Sequence, residues 1–276
     1  MNTIEAIVLG TVQGLTEFLP VSSSGHLVLF QNLFGLKDPE LLFDISLHVG
    51  TLLAVLIVFY REILDILTAL VQLPMRLKSA GGMMRLIQVD PSIRLALLII
   101  VGSVPTALIG LLFKKITDQL FGSPAIVGGM LIVTGTLLWL TRRIRGQGRP
   151  VARTTVKDAL VIGIVQGLAI LPGISRSGST IATALFLGVD RKLAGRYSFL
   201  LSIPAIVGAL VLGLKAPELA TTIPLTTILI GALVSAVVGW LALVILLRVV
   251  DRGQLHRFAP YCWLVGLITL GISLIG

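Results

Sequence analysis

Two stretches of this 276-residue chain set nucleophiles, an acid and a cation into otherwise apolar surroundings. The first reads Gln13-Gly-Leu-Thr16-Glu17-Phe-Leu-Pro20-Val-Ser22-Ser23-Ser24-Gly25-His26, and the second Leu171-Pro-Gly-Ile-Ser175-Arg176-Ser177-Gly178-Ser-Thr180. Each interrupts a hydrophobic run and leads into a helix. The serines at 22–24 and 175–179 are good N-cap residues, and the unpaired N–H groups of a helix start attract anions. Arg176 adds a planar fork that matches phosphoryl oxygens, and an arginine at membrane depth is costly enough to mark function. Glu17 and His26 bring a carboxylate and a base to the serines, so the chemistry this set can do is phosphoryl transfer.

The candidate catalytic residues are therefore Glu17, Ser23, His26 and Arg176. Ser22, Ser24, Gly25, Ser175, Ser177, Gly178 and Thr180 are expected to bind phosphate, with Gln13 and Thr16 in support. Ser23 is the first choice of nucleophile, with His26 as its base and Glu17 either orienting His26 or ligating a divalent cation, Mg²⁺ or Ca²⁺. Direct attack by His26, through a phosphohistidine, stays open. His48, beside Asp44 and Ser46, reads as structural or interfacial. Cys262 reads as a small buried hydrophobe and, being alone, excludes an internal disulfide.

Those loops need elements to hold them, and composition says what kind. With 55% hydrophobic and 13% charged residues and a mean hydropathy of +1.01, the chain has too little polar surface for a water-soluble globule of this size. The expected fold class is an all-α polytopic membrane protein. Six runs are long enough to cross a bilayer, at about 43–60, 95–113, 124–141, 194–215, 226–248 and 259–276. Two more, about 2–34 and 157–190, are broken in the middle and read as re-entrant helical hairpins. Irregular backbone at that depth is tolerated only against protein or a water-filled cavity, which makes both breaks parts of a polar site. No cleaved signal is expected, because residues 1–19 lack a basic start and carry Glu5 and Glu17.

The breaks also resemble each other. Gly10-Thr-Val-Gln-Gly-Leu15 parallels Gly163-Ile-Val-Gln-Gly-Leu168, and Ser22-Ser-Ser-Gly25 parallels Ser175-Arg-Ser-Gly178, both at an offset of 153. Duplication accounts for this, with a first repeat at 1–153 and a second at 154–276. Three crossings per repeat force the copies into opposite orientations, an inverted-topology repeat. The net charge of +9 is not a nucleic-acid footprint, since the basic residues cluster between apolar runs; it reports topology. Seventeen Lys and Arg, among them Arg142, Arg149, Arg191 and Arg248, fall on one face, and only Lys37, Lys114, Lys115 and Lys215 on the other. The first face is expected to be cytoplasmic, with both termini and the reactive loops facing outward. A secondary transporter or lipid flippase uses the same architecture, but an anion carrier needs no nucleophile beside a base.

The string Gln-Gly-Leu-Thr-Glu-Phe-Leu-Pro-Val-Ser-Ser-Ser-Gly-His, with Pro-Gly-Ile-Ser-Arg-Ser-Gly-Ser-Thr, resembles the two signature motifs of the undecaprenyl-diphosphate phosphatase family. Phe43-Asp-Ile-Ser-Leu-His-Val-Gly50 and Tyr197-Ser-Phe-Leu-Leu-Ser-Ile-Pro204 extend the resemblance over most of the chain. It implies hydrolysis of the C55 lipid diphosphate to the monophosphate and inorganic phosphate at the outer face of the bacterial cytoplasmic (inner) membrane, recycling the lipid carrier for cell-wall synthesis. Divalent-cation dependence and bacitracin resistance come with it. Expected partners are the polyprenyl diphosphate, the membrane lipids and a second copy of the chain in a homodimer, with no nucleic acid. The family's first motif often carries a second carboxylate where this chain has Gln13.

The 17-to-4 bias makes topology testable. Single cysteines placed in 142–157 should react with an impermeant reagent only from the cytoplasmic side, and cysteines at Lys37 or Lys115 only from outside. Labelling of both regions from one face would overturn the inverted arrangement.

Overall fold

The computed structural model describes residues 1–34, 41–113, 123–214 and 223–275, so Lys37, Lys114, Lys115 and Lys215 lie outside the described residues. Every long apolar run is a helix, and six helices are long and apolar enough to cross a membrane. The protein is a multi-pass membrane protein. In chain order the described α-helices are α1 (Thr3–Phe18), α2 (Ser23–Leu33), α3 (Leu41–Val58), α4 (Tyr60–Val71), α5 (Leu73–Ala80), α6 (Met83–Val89), α7 (Pro91–Phe113), α8 (Pro124–Leu140), α9 (Val156–Leu168), α10 (Arg176–Phe186), α11 (Arg191–Gly213), α12 (Leu225–Asp251) and α13 (Ala259–Ile275).

The sequence breaks at Pro20 and Pro172 are breaks in the structure too. The first segment is two helices of 16 and 11 residues, the second two of 13 and 11. At 1.5 Å per residue none reaches across a 30 Å hydrocarbon core. Both leading helices open with a capping box, Asn2 with Glu5 on α1 and Thr155 with Asp158 on α9, so the starts as well as the breaks are written locally. Residues 60–89, too short in apolar runs to register as crossings, fold into α4–α6, which an Arg76–Asp90 ion pair ties to the start of α7.

Close approach between helices needs small residues, because lipid tails give no hydrophobic drive for helices to associate. α1 packs against α12 and α9 against α7; α12 also packs against α3, α11 against α7, and α8 against α13. The glycines of the repeated motif sit at two of these crossings. A Cβ on Gly14 would stand 2.8 Å from Gly239 N and Ser235 O, and one on Gly163 would collide with the backbone of Gly102. The buried faces carry the rest of the packing: Phe18, Phe43 and Phe199 are fully buried, as are Leu138, Ile162 and Leu243.

Gly163→Leu should therefore cost about 1–3 kcal/mol by overpacking and lower the melting temperature in detergent by several degrees. Gly129→Ala, where an added Cβ meets nothing within 4 Å, should leave it unchanged. Equal melting of the two variants would remove the close-packing argument.

Candidate active site

The two breaks meet. Glu17, in the last turn of α1, receives an Arg176 Nη2 hydrogen bond at 2.5 Å on Oε1, across 159 positions of chain. Its Oε2 accepts from Ser23 Oγ at 2.7 Å and from Gln13 Nε2 at 3.1 Å. Gln13 lies one turn before Glu17 on the same helix face, so the pairing within α1 follows from their spacing. The other Gln13 amide hydrogen goes to His48 Nδ1 at 3.0 Å, and His48 stands 3.8 Å from Glu17 Oε2. Glu17 is thus flanked by an arginine and a histidine, while Ser23 is only half-buried. A serine hydroxyl aimed at a carboxylate, with a guanidinium on the carboxylate's other oxygen, is an arrangement for deprotonating the serine beside an anion.

Two polar atoms at this cluster are left over. Gln13 Oε1 and Arg176 Nη1 are buried without a hydrogen-bond partner among the described residues. An unmet buried N–H or C=O costs on the order of 1–3 kcal/mol. A ligand carrying both an acceptor for Nη1 and a cation or donor for Oε1 would satisfy them.

The turns that carry these side chains are locked to each other. Ser22 adopts a left-handed φ of 69°, unusual for a residue with a Cβ, and its hydroxyl accepts from Gly173 N–H in the other break at 3.1 Å. Ser177 Oγ donates to Phe18 O at 2.8 Å, Cys262 Sγ points at Pro20 O at 3.3 Å, and a Cβ on Gly178 would press on Pro20 at 2.8 Å. From behind, Thr134 accepts from Ser175 N–H at 3.1 Å and donates to Gly173 O at 2.9 Å. Ser175 caps α10 by accepting from Gly178 N–H, which leaves the first N–H groups of that helix, at Arg176 and Ser177, for an anion.

The geometry departs from the sequence reading in the role of each partner. Ser23 leans on Glu17 rather than on His26. Both ring nitrogens of His26 are engaged elsewhere, Nδ1 with Ser22 O at 2.8 Å and Nε2 with the Tyr261 hydroxyl at 2.7 Å, and the ring stacks on Tyr261. Since a carbonyl only accepts, Nδ1 carries the proton and Nε2 accepts from tyrosine. Ser22 turns its side chain to the other break instead of capping α2. Ser24 Oγ lies 3.4 Å from Ser22 Oγ, and Gly25 is buried, where a Cβ would come within 3.2 Å of the Val127 side chain. Thr16 bonds back to Val12 O. Thr180 is fully buried, sharing a hydrogen bond with Ser198 and donating to Arg176 O. His48, read as structural or interfacial, joins the cluster, and Tyr261 was not anticipated. No local pattern announces either, since each reaches the site from a helix distant in sequence.

For a divalent cation, the residues present supply one carboxylate, whose oxygens are already engaged, and the orphaned Gln13 Oε1. Among the described residues no group of three His, Cys, Asp or Glu side chains stands ready to hold a metal. This donor set fits a cation carried largely by substrate oxygens and water, as Mg²⁺ commonly is, and not a dedicated protein cage.

Comparison with known proteins agrees with the motifs. A family model described as bacitracin resistance protein BacA matches residues 6–268. The undecaprenyl-diphosphatase of Desulfatibacillum aliphaticivorans is 54% identical over 271 residues, covering 98% of both chains. That of Desulforapulum autotrophicum is 53% identical with the same coverage, and that of Carboxydothermus hydrogenoformans 46% identical over 281 residues, covering 100% of this chain and 99% of its own. With the motifs, the buried cluster and near-complete coverage in agreement, the chain belongs to the bacitracin resistance protein BacA family.

Proposed function

We propose that this protein hydrolyses undecaprenyl diphosphate to undecaprenyl phosphate and inorganic phosphate, returning the lipid carrier to cell-wall synthesis. The names of its relatives support the substrate. The observation that carries the chemistry is Ser23 Oγ at 2.7 Å from a Glu17 carboxylate whose other oxygen holds Arg176, with Arg176 Nη1 still lacking an acceptor.

In this mechanism Arg176 Nη1 and the first N–H groups of α10 receive the terminal phosphoryl oxygens. Ser23 Oγ attacks the terminal phosphorus as its proton passes to Glu17 Oε2. The bridging P–O bond breaks, and undecaprenyl phosphate leaves with the electron pair, needing no acid because it departs as a stable phosphate. Water then attacks the phosphoserine phosphorus, the Ser23 oxygen recovers its proton from Glu17, and inorganic phosphate is released. Arg176 stabilises the charge of both transition states. Ser175, Ser177, Gly178 and Thr180 act through the helix start they build. Ser22, Ser24 and Gly25 shape the facing turn, and Gln13 and Thr16 steady the last turn of α1. His26, tied to Ser22 O and Tyr261, holds the Ser22–Ser23 turn in place. Glu17 and Gln13 Oε1 are the residues that would hold a Mg²⁺ or Ca²⁺ ion, which would supply charge neutralisation for the leaving phosphate.

The architecture belongs to the same proposal. Helix pairs α1–α2 and α9–α10 are read as re-entrant hairpins of two inverted repeats, 1–153 and 154–276. Exchanging the halves turns the α1–α12 contact into α9–α7 and the α12–α3 contact into α7–α11, while α8–α13 maps onto itself; all of these contacts occur. That supports a two-fold relation between the copies. The basic end is taken as cytoplasmic, so that the site opens outward from the cytoplasmic membrane, and a homodimer is part of the reading.

Purified protein with Mg²⁺ or Ca²⁺ should release phosphate from a long-chain prenyl diphosphate; inactivity of folded protein would overturn the proposal. Arg176→Lys keeps the charge and loses the fork, so turnover should fall at least tenfold, about 1.4 kcal/mol, and unchanged turnover would reduce Arg176 to a structural ion. The nucleophile is decided by trapping: wild type and His26→Gln should form an acid-stable phosphoserine, and Ser23→Ala should form no phosphoenzyme. Acid-labile phosphate on His26 in the Ser23→Ala protein would assign the attack to histidine.

A further inference from the structure

A cavity of about 560 Å³, largely apolar in its walls, opens at the basic end of the helices, between the end of α3, the start of α11 and the end of α12. Four cations line it: Arg191, Lys192, Arg196 and Arg248. None of them forms an ion pair among the described residues, although Glu62, Asp190 and Asp251 line the same space. Asp190 is committed to capping α11, where it accepts from Leu193 N–H at 3.1 Å, and Arg191 reaches Ile144 O at 3.2 Å. Arg196 is different. Its Nε is buried and has no acceptor among the described residues, which for a guanidinium N–H is a standing cost unless a ligand supplies one.

This cavity is separate from the reacting groups. Phe59, in its wall, stacks on Phe199 at 6.2 Å, and Phe199 packs edge-on against Phe18 at 5.7 Å, the neighbour of Glu17. Three buried aromatic rings therefore stand between Arg196 and the Ser23–Glu17 pair. The opening lies beside the ends of two membrane-spanning helices, the start of α11 and the end of α12. Basic pockets between transmembrane helices on that face hold anionic headgroups, and Arg offers phosphate a directed, paired contact.

We propose that this cavity is a second anion site that binds a phosphate group through Arg196, with Arg191, Lys192 and Arg248 around it. A phospholipid headgroup entering from the inner leaflet and free phosphate from solution present the same chemistry.

The test uses the full chain in phosphatidylcholine nanodiscs, with Arg196→Gln and, at the exposed rim of the cavity, Arg248→Gln, which disturbs packing least. Thermal unfolding is followed as phosphatidylglycerol replaces phosphatidylcholine and, separately, as inorganic phosphate is added. Phosphatidylglycerol should stabilise the wild type, with each variant needing about fivefold more anionic lipid for the same shift, the equivalent of about 1 kcal/mol per cation removed. The same dependence on inorganic phosphate alone would support the site with free phosphate as its ligand. The active site is intact in all three proteins, so phosphate bound there shifts them equally. Identical responses of wild type and Arg248→Gln to both probes would overturn the proposal, whether or not Arg196→Gln folds.

Discussion

Everything at the centre of this protein turns on one ion pair, Arg176 with Glu17, buried in a molecule made mostly of hydrocarbon-facing helices. Neither charge is tolerable alone at such a place, because removing one partner of a buried pair leaves a charge that the surroundings cannot solvate. The pair therefore ties two segments 159 residues apart into one unit. Its neighbours keep the same constraint: Gln13 and Ser23 donate to the second carboxylate oxygen, so Glu17 has a hydrogen-bond donor on each side. An ion pair held this completely is preorganised, and its electrostatic field is present before any substrate arrives.

The backbone meets the cost of that arrangement in a specific way. Two broken helices leave N–H and C=O groups without helical partners in a region where water is scarce. The breaks satisfy one another: Gly173 N–H finds Ser22 Oγ, Phe18 O finds Ser177 Oγ, and Thr134 bridges Ser175 N–H and Gly173 O. Ser22 accepts a left-handed φ to reach its partner, and His26 holds the Ser22 carbonyl from the other side. What looks in sequence like a row of capping serines is, in three dimensions, a joint between two loops with one hydroxyl, Ser23, left facing the carboxylate.

That contrast marks how much was legible in the sequence. The six crossings and the two broken segments were, because hydropathy and proline are local signals. That Glu17, Ser23 and Arg176 form one polar cluster was too, because ionisable and hydroxyl side chains are conspicuous in apolar runs. The partner of each was not. Whether Ser23 leans on Glu17 or His26 depends on a turn geometry that residue types do not encode, and His48 and Tyr261 arrive from α3 and α13 through packing that is set by glycines elsewhere. The same holds for Arg196, which in sequence is one more basic residue at the start of a crossing and in space lines a cavity with residues near positions 59 and 248.

Gln13 gives the clearest case of a local choice with an electrostatic consequence. As an amide it donates one hydrogen to Glu17 and the other to His48, so it links the acid to the histidine without adding charge. A neutral His48 that accepts on Nδ1 carries its proton on Nε2, turned away from the carboxylate. A carboxylate at position 13 would instead face Glu17 at hydrogen-bond distance, where two negative charges repel, and it would need a further cation beyond Arg176. With glutamine, one arginine balances one acid, and the amide oxygen is left without a partner among the described residues. The site of this chain is therefore organised around a single carboxylate, on which the Ser23 hydroxyl and the Gln13 amide both rest.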